Sequence, residues 1–133
     1  MNEQEKQALN REIAEALGWR IEQGYSRDAR EHFYTLYAPN TTKFVGVWGT
    51  EEQAAAHLPA YTDDLNAVAG ALPGGERGCG IELSTKWKGK FRAVIRDFAI
   101  RDNVNSHAYV ADADTRHEAA ARALLAWALA QKG

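Results

Sequence analysis

The stretch Pro59-Ala60-Tyr61-Thr62-Asp63-Asp64-Leu65 contains the clearest helix start signal in this chain and joins two unlike halves of the sequence. Thr62 carries the hydroxyl with which an N-cap residue accepts a hydrogen bond from the first turn. Two aspartates follow, where the helix dipole favours negative charge. Apolar residues then recur at helical spacing, at Leu65, Val68, Ala69 and Leu72. The stretch predicts a helix that is capped by Thr62 and ends at Pro73-Gly74-Gly75.

The half of the chain before this stretch is predicted to hold a long helix, a hairpin and a short helix. Residues 3–17 place their apolar side chains on one side, and Gly18 follows as a helix stop. Residues 20–31 are charged and polar, with glycine and serine as breakers, and are predicted to form a loop. Aromatic-rich segments at 32–37 and 44–48 flank a turn and predict two paired strands. Residues 50–53 form a capping box that opens a short helix before Pro59.

The half after it is predicted to hold three strands and a final helix. A short strand at 81–83 is followed by a turn at 86–90, a strong strand at 91–98 and a last strand at 107–111. Thr115 and Glu118 form a second capping box before an alanine-rich helix that extends to residue 131, with Trp127 on its core face. The Gly-rich piece from Pro73 to Gly80 lacks the spacing of a phosphate-binding P-loop and is predicted to be a flexible connection.

The order of these elements predicts the fold class. Short strands joined by turns favour antiparallel pairing, and helices at the two ends can cover the sheet. We therefore expect an α+β fold, a mostly antiparallel sheet flanked by the N-terminal and C-terminal helices in an arrangement like an α/β/α sandwich. The 133 residues are expected to form a single domain, residues 1–133.

Composition excludes several classes of function. The formal net charge of −2 gives no reason to expect binding to nucleic acid polymers or to membranes. The apolar runs are too short to span a bilayer, and the first residues do not read as a signal peptide. A single cysteine, Cys79, rules out a disulfide within the chain. These features predict a cytoplasmic protein.

No set of residues forms a catalytic or metal-binding signature. The four histidines, His32, His57, His107 and His117, are widely spaced, so no metal-ligand motif is present. Cys79 follows Arg77, which would favour its thiolate, but a lone cysteine without a local signature is more often inert. We therefore predict no catalytic residue, no metal and no cofactor.

Basic and aromatic residues are the more suggestive set. Alternation along the strand places Arg92 and Arg96 on one face, where two guanidinium groups can bind phosphate, and Trp87 beside Lys90 can stack on a base. The alternative is an ordinary solvated sheet face, with the arginines paired to acids such as Glu82 or Asp97. The predicted ligand-binding residues are Trp48, Tyr61, Thr62, Asp64, Trp87, Lys90, Arg92 and Arg96.

The first hairpin carries aromatic residues on both faces. Alternation puts Phe33 and Tyr37 opposite Tyr34 and Leu36, and Phe44 and Trp48 lie in the partner strand. One face can serve the core while the other contacts a partner. We therefore predict a homo-oligomer, most simply a dimer.

Four segments together resemble the phage ABA sandwich domain family, small proteins encoded by tailed phages and prophages. They are Leu17-Gly18-Trp19, Trp48 to Ala54 leading to Pro59 to Ala67, the strand Trp87 to Val94, and Ala111-Asp112-Ala113 before the alanine-rich helix. The resemblance implies a sheet sandwiched by helices and a role as an accessory protein, and it implies no reaction.

Three functions follow as hypotheses. The first hypothesis is a sponge, a protein that binds a nucleotide and holds it without turnover. It rests on a similarity in size and build to phage proteins that sequester nucleotide signals of bacterial immunity. The second is an accessory factor that docks on a host protein through the aromatic hairpin. The third is a small nucleotide hydrolase or transferase, for which no convergent acid and base groups are evident.

Overall fold

The computed structural model describes residues 1–73, 79–97 and 107–131. Its helices and strands follow one another in the order predicted for the α+β class, with one additional strand near the start. The helices are α1 (Glu3–Leu17), α2 (Glu51–Ala55), α3 (Leu65–Ala71) and α4 (Arg116–Gln131). The strands are β1 (Arg20–Ser26), β2 (Glu31–Tyr37), β3 (Phe44–Trp48), β4 (Cys79–Thr85), β5 (Phe91–Asp97) and β6 (His107–Ala113).

The strands form two separate antiparallel sheets of three strands each, where the sequence suggested one. The first sheet has the order β1-β2-β3 and the second the order β4-β5-β6, so each is a simple meander. In β5, Ala93, Ile95 and Asp97 are buried, while Arg92 and Arg96 lie on the other face, as alternation predicted. The expected antiparallel pairing is confirmed.

The main hydrophobic core lies between α4, α1 and the inner face of the second sheet. Helix α4 packs on β5 and β6, and α1 packs on α4, so both terminal helices lie on the same side of this sheet. Most of the buried residues of α4 are alanines, which lets the helix approach the strands closely. Ile13, Ile95 and Leu124 are fully buried at the centre.

The first sheet lies outside that core. Of the residues that the structure describes, none from β1, β2 or β3 belongs to the main buried cluster or packs on its margin. Its own cover is the five-residue helix α2, which contacts all three strands. Leu36 of β2 and Ala54 of α2 are fully buried here. The chain thus contains a large core around α4 and a small one under α2.

The predicted loop at residues 20–31 is wrong, because residues 20–26 form β1. Gly24 contributed to that error, since glycine usually weakens a strand. In the structure the ring of Phe33 on β2 lies over Gly24, and a β-carbon there would come within 2.3 Å of a ring atom. The glycine is therefore a site of close packing inside the sheet.

The predicted cap of α3 is also corrected. Thr62 is buried, and the N-cap residue is Asp64, whose side chain accepts a hydrogen bond from the amide of Asn66. Thr50 and Thr115 are confirmed as N-caps, because each hydroxyl accepts from the amide three residues later. Expectations about residues 74–78 and 98–106, including Arg77, Phe98 and the loop at 101–106, lie outside the described residues.

In the described ranges, none of the helices has the length and apolar character needed to cross a membrane.

Candidate functional site

The two arginines of the predicted ligand site are engaged with acids. On the outer face of the second sheet, Arg92 donates from Nε and Nη2 to the two carboxylate oxygens of Asp112, at 2.7 and 3.0 Å. Arg96 lies 3.7 Å from Glu82. The hydrogen bond with Arg92 lowers the pKa of Asp112. This is the ion-paired, solvated face that the sequence offered as the alternative to a phosphate site.

Trp87 and Lys90 lie on the turn that connects β4 to β5. Trp87 is in a short 3₁₀ turn, Trp87–Gly89, and its side chain is 86% exposed. The amide of Lys90 donates to the carbonyl of Trp87, so the two residues are neighbours in space. The ammonium group of Lys90 binds Asp114, and this hydrogen bond raises the pKa of Lys90 and lowers that of Asp114.

Tyr61 is a structural residue that joins α1 to the segment before α3. It is 4% exposed. Its hydroxyl accepts a hydrogen bond from the indole Nε1 of Trp19 at 3.0 Å, and its amide donates to the side chain of Asn10 at 2.6 Å. Burial raises the pKa of Tyr61, an effect that the bond from Trp19 partly opposes. Its ring is therefore not available for stacking on a ligand.

Thr62, the next residue, lies at a groove. It is 4% exposed, and its hydroxyl has no hydrogen-bond partner among the described residues. The groove has a volume of about 590 Å³ and runs between the first half of α1 and the segment from α2 to Asp63. Its lining combines apolar residues with polar and charged ones. The apolar lining residues are Ala8, Ala55, Ala56, Leu58 and Ala60.

A second, smaller cleft continues from the groove to the start of α4. Its volume is about 260 Å³, and it shares Lys6, Thr62 and Asp63 with the groove. Lys6 binds Asp63 at 3.2 Å, and this ion pair stands where the two cavities meet. On the far side the cleft is lined by Asp114, Thr115, His117 and Glu118.

The remaining predicted residues have local structural roles. Asp64 caps α3, as described above. Trp48, at the end of β3, stacks on His57 with ring centroids 4.3 Å apart, and so packs the segment after α2 against the first sheet. Its ring also covers Gly46, where a β-carbon would come within 2.5 Å of it.

The edge strand β3 carries exposed apolar side chains. Phe44, Val45 and Val47 of β3 are 62%, 54% and 50% exposed. The register places Phe44 opposite Tyr37 and Val47 opposite Thr35, so these residues adjoin the central strand. We call Phe44, Val45 and Val47 the β3 patch.

The structure brings together two of the eight predicted residues. Thr62 and Lys90 come from opposite halves of the chain and lie near the start of α4: Thr62 lines the cleft there, and Lys90 binds Asp114, which also lines it. Trp87 lies beside Lys90. Tyr61, Asp64, Trp48 and the two arginines are engaged elsewhere.

Lys6, Asn10 and His117 were missed in the sequence. Asn10 carried a usable signal, because asparagine is unfavourable inside a helix unless its side chain finds a partner, which here is the amide of Tyr61. Lys6 is partly buried on α1 and His117 is exposed on α4, and only the fold brings them to one cleft.

No protein-family model matches this chain, and no match was found among curated proteins or among solved structures. The similarity to the phage ABA sandwich family stays a prediction. Within the described ranges, no three side chains of the metal-binding types are grouped closely enough to hold an ion.

Proposed function

We propose that this chain is a phage-type accessory protein that binds a small anionic, nucleotide-like ligand and sequesters it without turnover. The observation that carries the proposal is the hydroxyl of Thr62, a residue that is 4% exposed, lines the groove and has no side-chain hydrogen bond to the described part of the chain. A ligand atom that bonds to this hydroxyl would gain a hydrogen bond without breaking one within the protein. The proposed ligand is of the class that bacterial immune systems use as signals.

The shape and chemistry of the groove support this proposal. Its volume of about 590 Å³ falls in the range of small-molecule sites. Small apolar side chains in its lining leave room for a flat ring, and the side-chain amides of Gln4 and Gln7, which also line it, can hydrogen-bond to ring or ribose atoms. Lys6 stands at one end and can contact a negative group.

Titration calorimetry with cyclic and ADP-ribose-type nucleotides tests the proposal. We expect micromolar or tighter binding to at least one of them, as sequestration requires. Thr62→Val keeps the shape and removes the hydroxyl, and should weaken binding roughly tenfold. Thr35→Val is the matched control, because Thr35 is also buried but lies in the first sheet. If no nucleotide of the panel binds, the proposal is wrong.

The same titration separates the groove from the arginine face. The sequence predicts phosphate contacts at Arg92 and Arg96, so replacing both by alanine should weaken binding if the ligand lies on the outer face of the second sheet. With the site in the groove, this double variant should bind like the parent protein. A large loss of affinity in the double variant, with none in Thr62→Val, would instead place the ligand on the outer face of the second sheet.

Mass spectrometry of small molecules released on heating distinguishes sequestration from catalysis. A sponge should release the added nucleotide unchanged after prolonged incubation. Recovery of a hydrolysed product would favour the hydrolase hypothesis, and the dependence of that product on single histidine variants would then identify the catalytic group.

A second candidate function is docking on a host protein, and the β3 patch favours it. Three adjacent apolar side chains that are at least half exposed are typical of an interaction surface. Val47→Lys should abolish capture of a host protein if this function is correct. If host capture persists in Val47→Lys, the β3 patch is not the docking surface.

A further inference from the structure

We infer that the start of α4 is the subsite for a phosphate group of the ligand, an inference that rests on the proposed function of the adjoining groove. The cleft of about 260 Å³ at this point shares Lys6, Thr62 and Asp63 with the lining of the groove. It is too small for a base with its sugar and suits a single compact anion. The remainder of the ligand would lie in the groove.

Helix α4 supplies the backbone donors. It has 16 residues, so its aligned peptide dipoles place substantial positive potential at its first turn. Thr115 accepts from the amide of Glu118 through its hydroxyl and from the amide of Ala119 through its carbonyl. The amides of Arg116 and His117 precede the first intrahelical bond and are the ones left for an anion.

Thr62 supplies an independent observation. This residue is only 4% exposed, and it lines the cleft. Its hydroxyl has no hydrogen-bond partner in the described part of the chain. A phosphate oxygen in the cleft could accept from this hydroxyl while others accept from the α4 amides. The hydroxyl and the amides come from different elements, so only the folded chain assembles them.

The carboxylates around the cleft are neutralised by cations. Asp63 binds Lys6, Asp114 binds Lys90 and Glu118 lies 3.5 Å from Arg122. The Lys90 hydrogen bond also lowers the pKa of Asp114, so this group stays ionised and holds the lysine beside the cleft. An incoming phosphate can share both lysines with these acids. Asp114 is therefore the group that should compete most directly with the phosphate.

The test is a titration with inorganic phosphate followed by ¹⁵N–¹H NMR, with chloride at equal ionic strength as reference. In the parent protein, we expect saturable shifts of the amides of Arg116 and His117. Thr62→Val should weaken this binding roughly tenfold. Asp114→Asn should tighten it roughly fivefold, because a competing negative charge is removed. Asp112→Asn is the matched control, since Asp112 faces Arg92 on the outer sheet face, and should change nothing.

The outcomes separate this inference from the proposed function. If phosphate shifts no amide at the start of α4, or if Asp114→Asn and Asp112→Asn behave alike, the subsite is wrong even where nucleotides bind the groove. If phosphate binds as expected but no nucleotide of the panel binds, the subsite stands and the nucleotide function fails. AMP should bind more tightly than adenosine if both are correct, and equal affinities would overturn the subsite.

Discussion

The first and the second sheet are both three-stranded antiparallel meanders, but they differ in what covers their two faces. The inner face of the second sheet is covered by the 16-residue helix α4. Its outer face carries ion pairs such as that of Arg92 with Asp112. The first sheet is covered by the five-residue α2, and its edge strand carries the β3 patch.

The difference separates two requirements of a sheet. The second sheet contributes to the main core, and its outer face carries ion pairs beside the exposed Val110. Among the described residues, none from the first sheet belongs to that core, and three large apolar side chains of this sheet are exposed to water. Burial of apolar surface is the main driving force of association, so we expect a partner on the first sheet and not on the second.

The largest effect should come from the core of the second sheet. Leu124 of α4 is fully buried, and Leu124→Ala should lower the free energy of unfolding by about 2–5 kcal/mol, because it removes apolar contacts and leaves a cavity. Leu129→Ala on the same helix is the control, since Leu129 is 51% exposed. Urea denaturation followed by circular dichroism measures both. Equal losses in the two variants would show that α4 does not carry the core.

A smaller effect should follow the loss of one buried hydrogen bond. The indole Nε1 of Trp127 donates to the carboxylate of Asp97 at 3.1 Å inside the core. Trp127→Phe removes this donor and should cost about 1.5–3 kcal/mol, the range for hydrogen bonds to charged groups. Trp87→Phe is the control on the exposed turn and should leave the urea midpoint unchanged. A midpoint unchanged in Trp127→Phe would contradict the role given to this bond.

Substitutions in the exposed β3 patch of the first sheet should change the oligomeric state more than the free energy of unfolding. If the β3 patch joins two copies into the predicted dimer, the parent protein should show a mass that falls on dilution and a Tm that depends on concentration. Val47→Lys should give a monomer by light scattering, while Val110→Lys, which alters an exposed valine of the second sheet, should not. A parent protein that stays monomeric at high concentration would refute the dimer.

Much of this fold could be predicted from local signals. The long helices and the N-caps at Thr50 and Thr115 are confirmed, because the residues that set them are neighbours in sequence. The strand at residues 20–26 was missed because its evidence is not local. Gly24 is explained only by the ring of Phe33, which reaches it from the paired strand.

The candidate site could be predicted less well, for a related reason. The sequence treated Tyr61, Thr62 and Asp64 as one polar cluster at a helix start. The fold gives them three roles: Tyr61 bonds to Trp19 and Asn10, Thr62 faces the groove, and Asp64 caps α3. The segments around Trp19 and Tyr61 are thus joined by a partly buried hydrogen bond. They specify how the chain folds, which is why they indicated the architecture better than the function.

The smallest effect is expected on the outer face of the second sheet. Arg92 and Asp112 are solvent-exposed partners, and water can replace each of them when the other is removed. Arg92→Ala should therefore leave the urea midpoint within experimental scatter near neutral pH. The bond lowers the pKa of Asp112, so any stabilisation is present above the ordinary aspartate pKa and disappears as the pH falls through the lowered value. Arg92→Ala and the parent should then converge in acid. A large loss of stability in Arg92→Ala at neutral pH would mean that this outer face helps to stabilise the core. The two sheets would then differ only in the β3 patch.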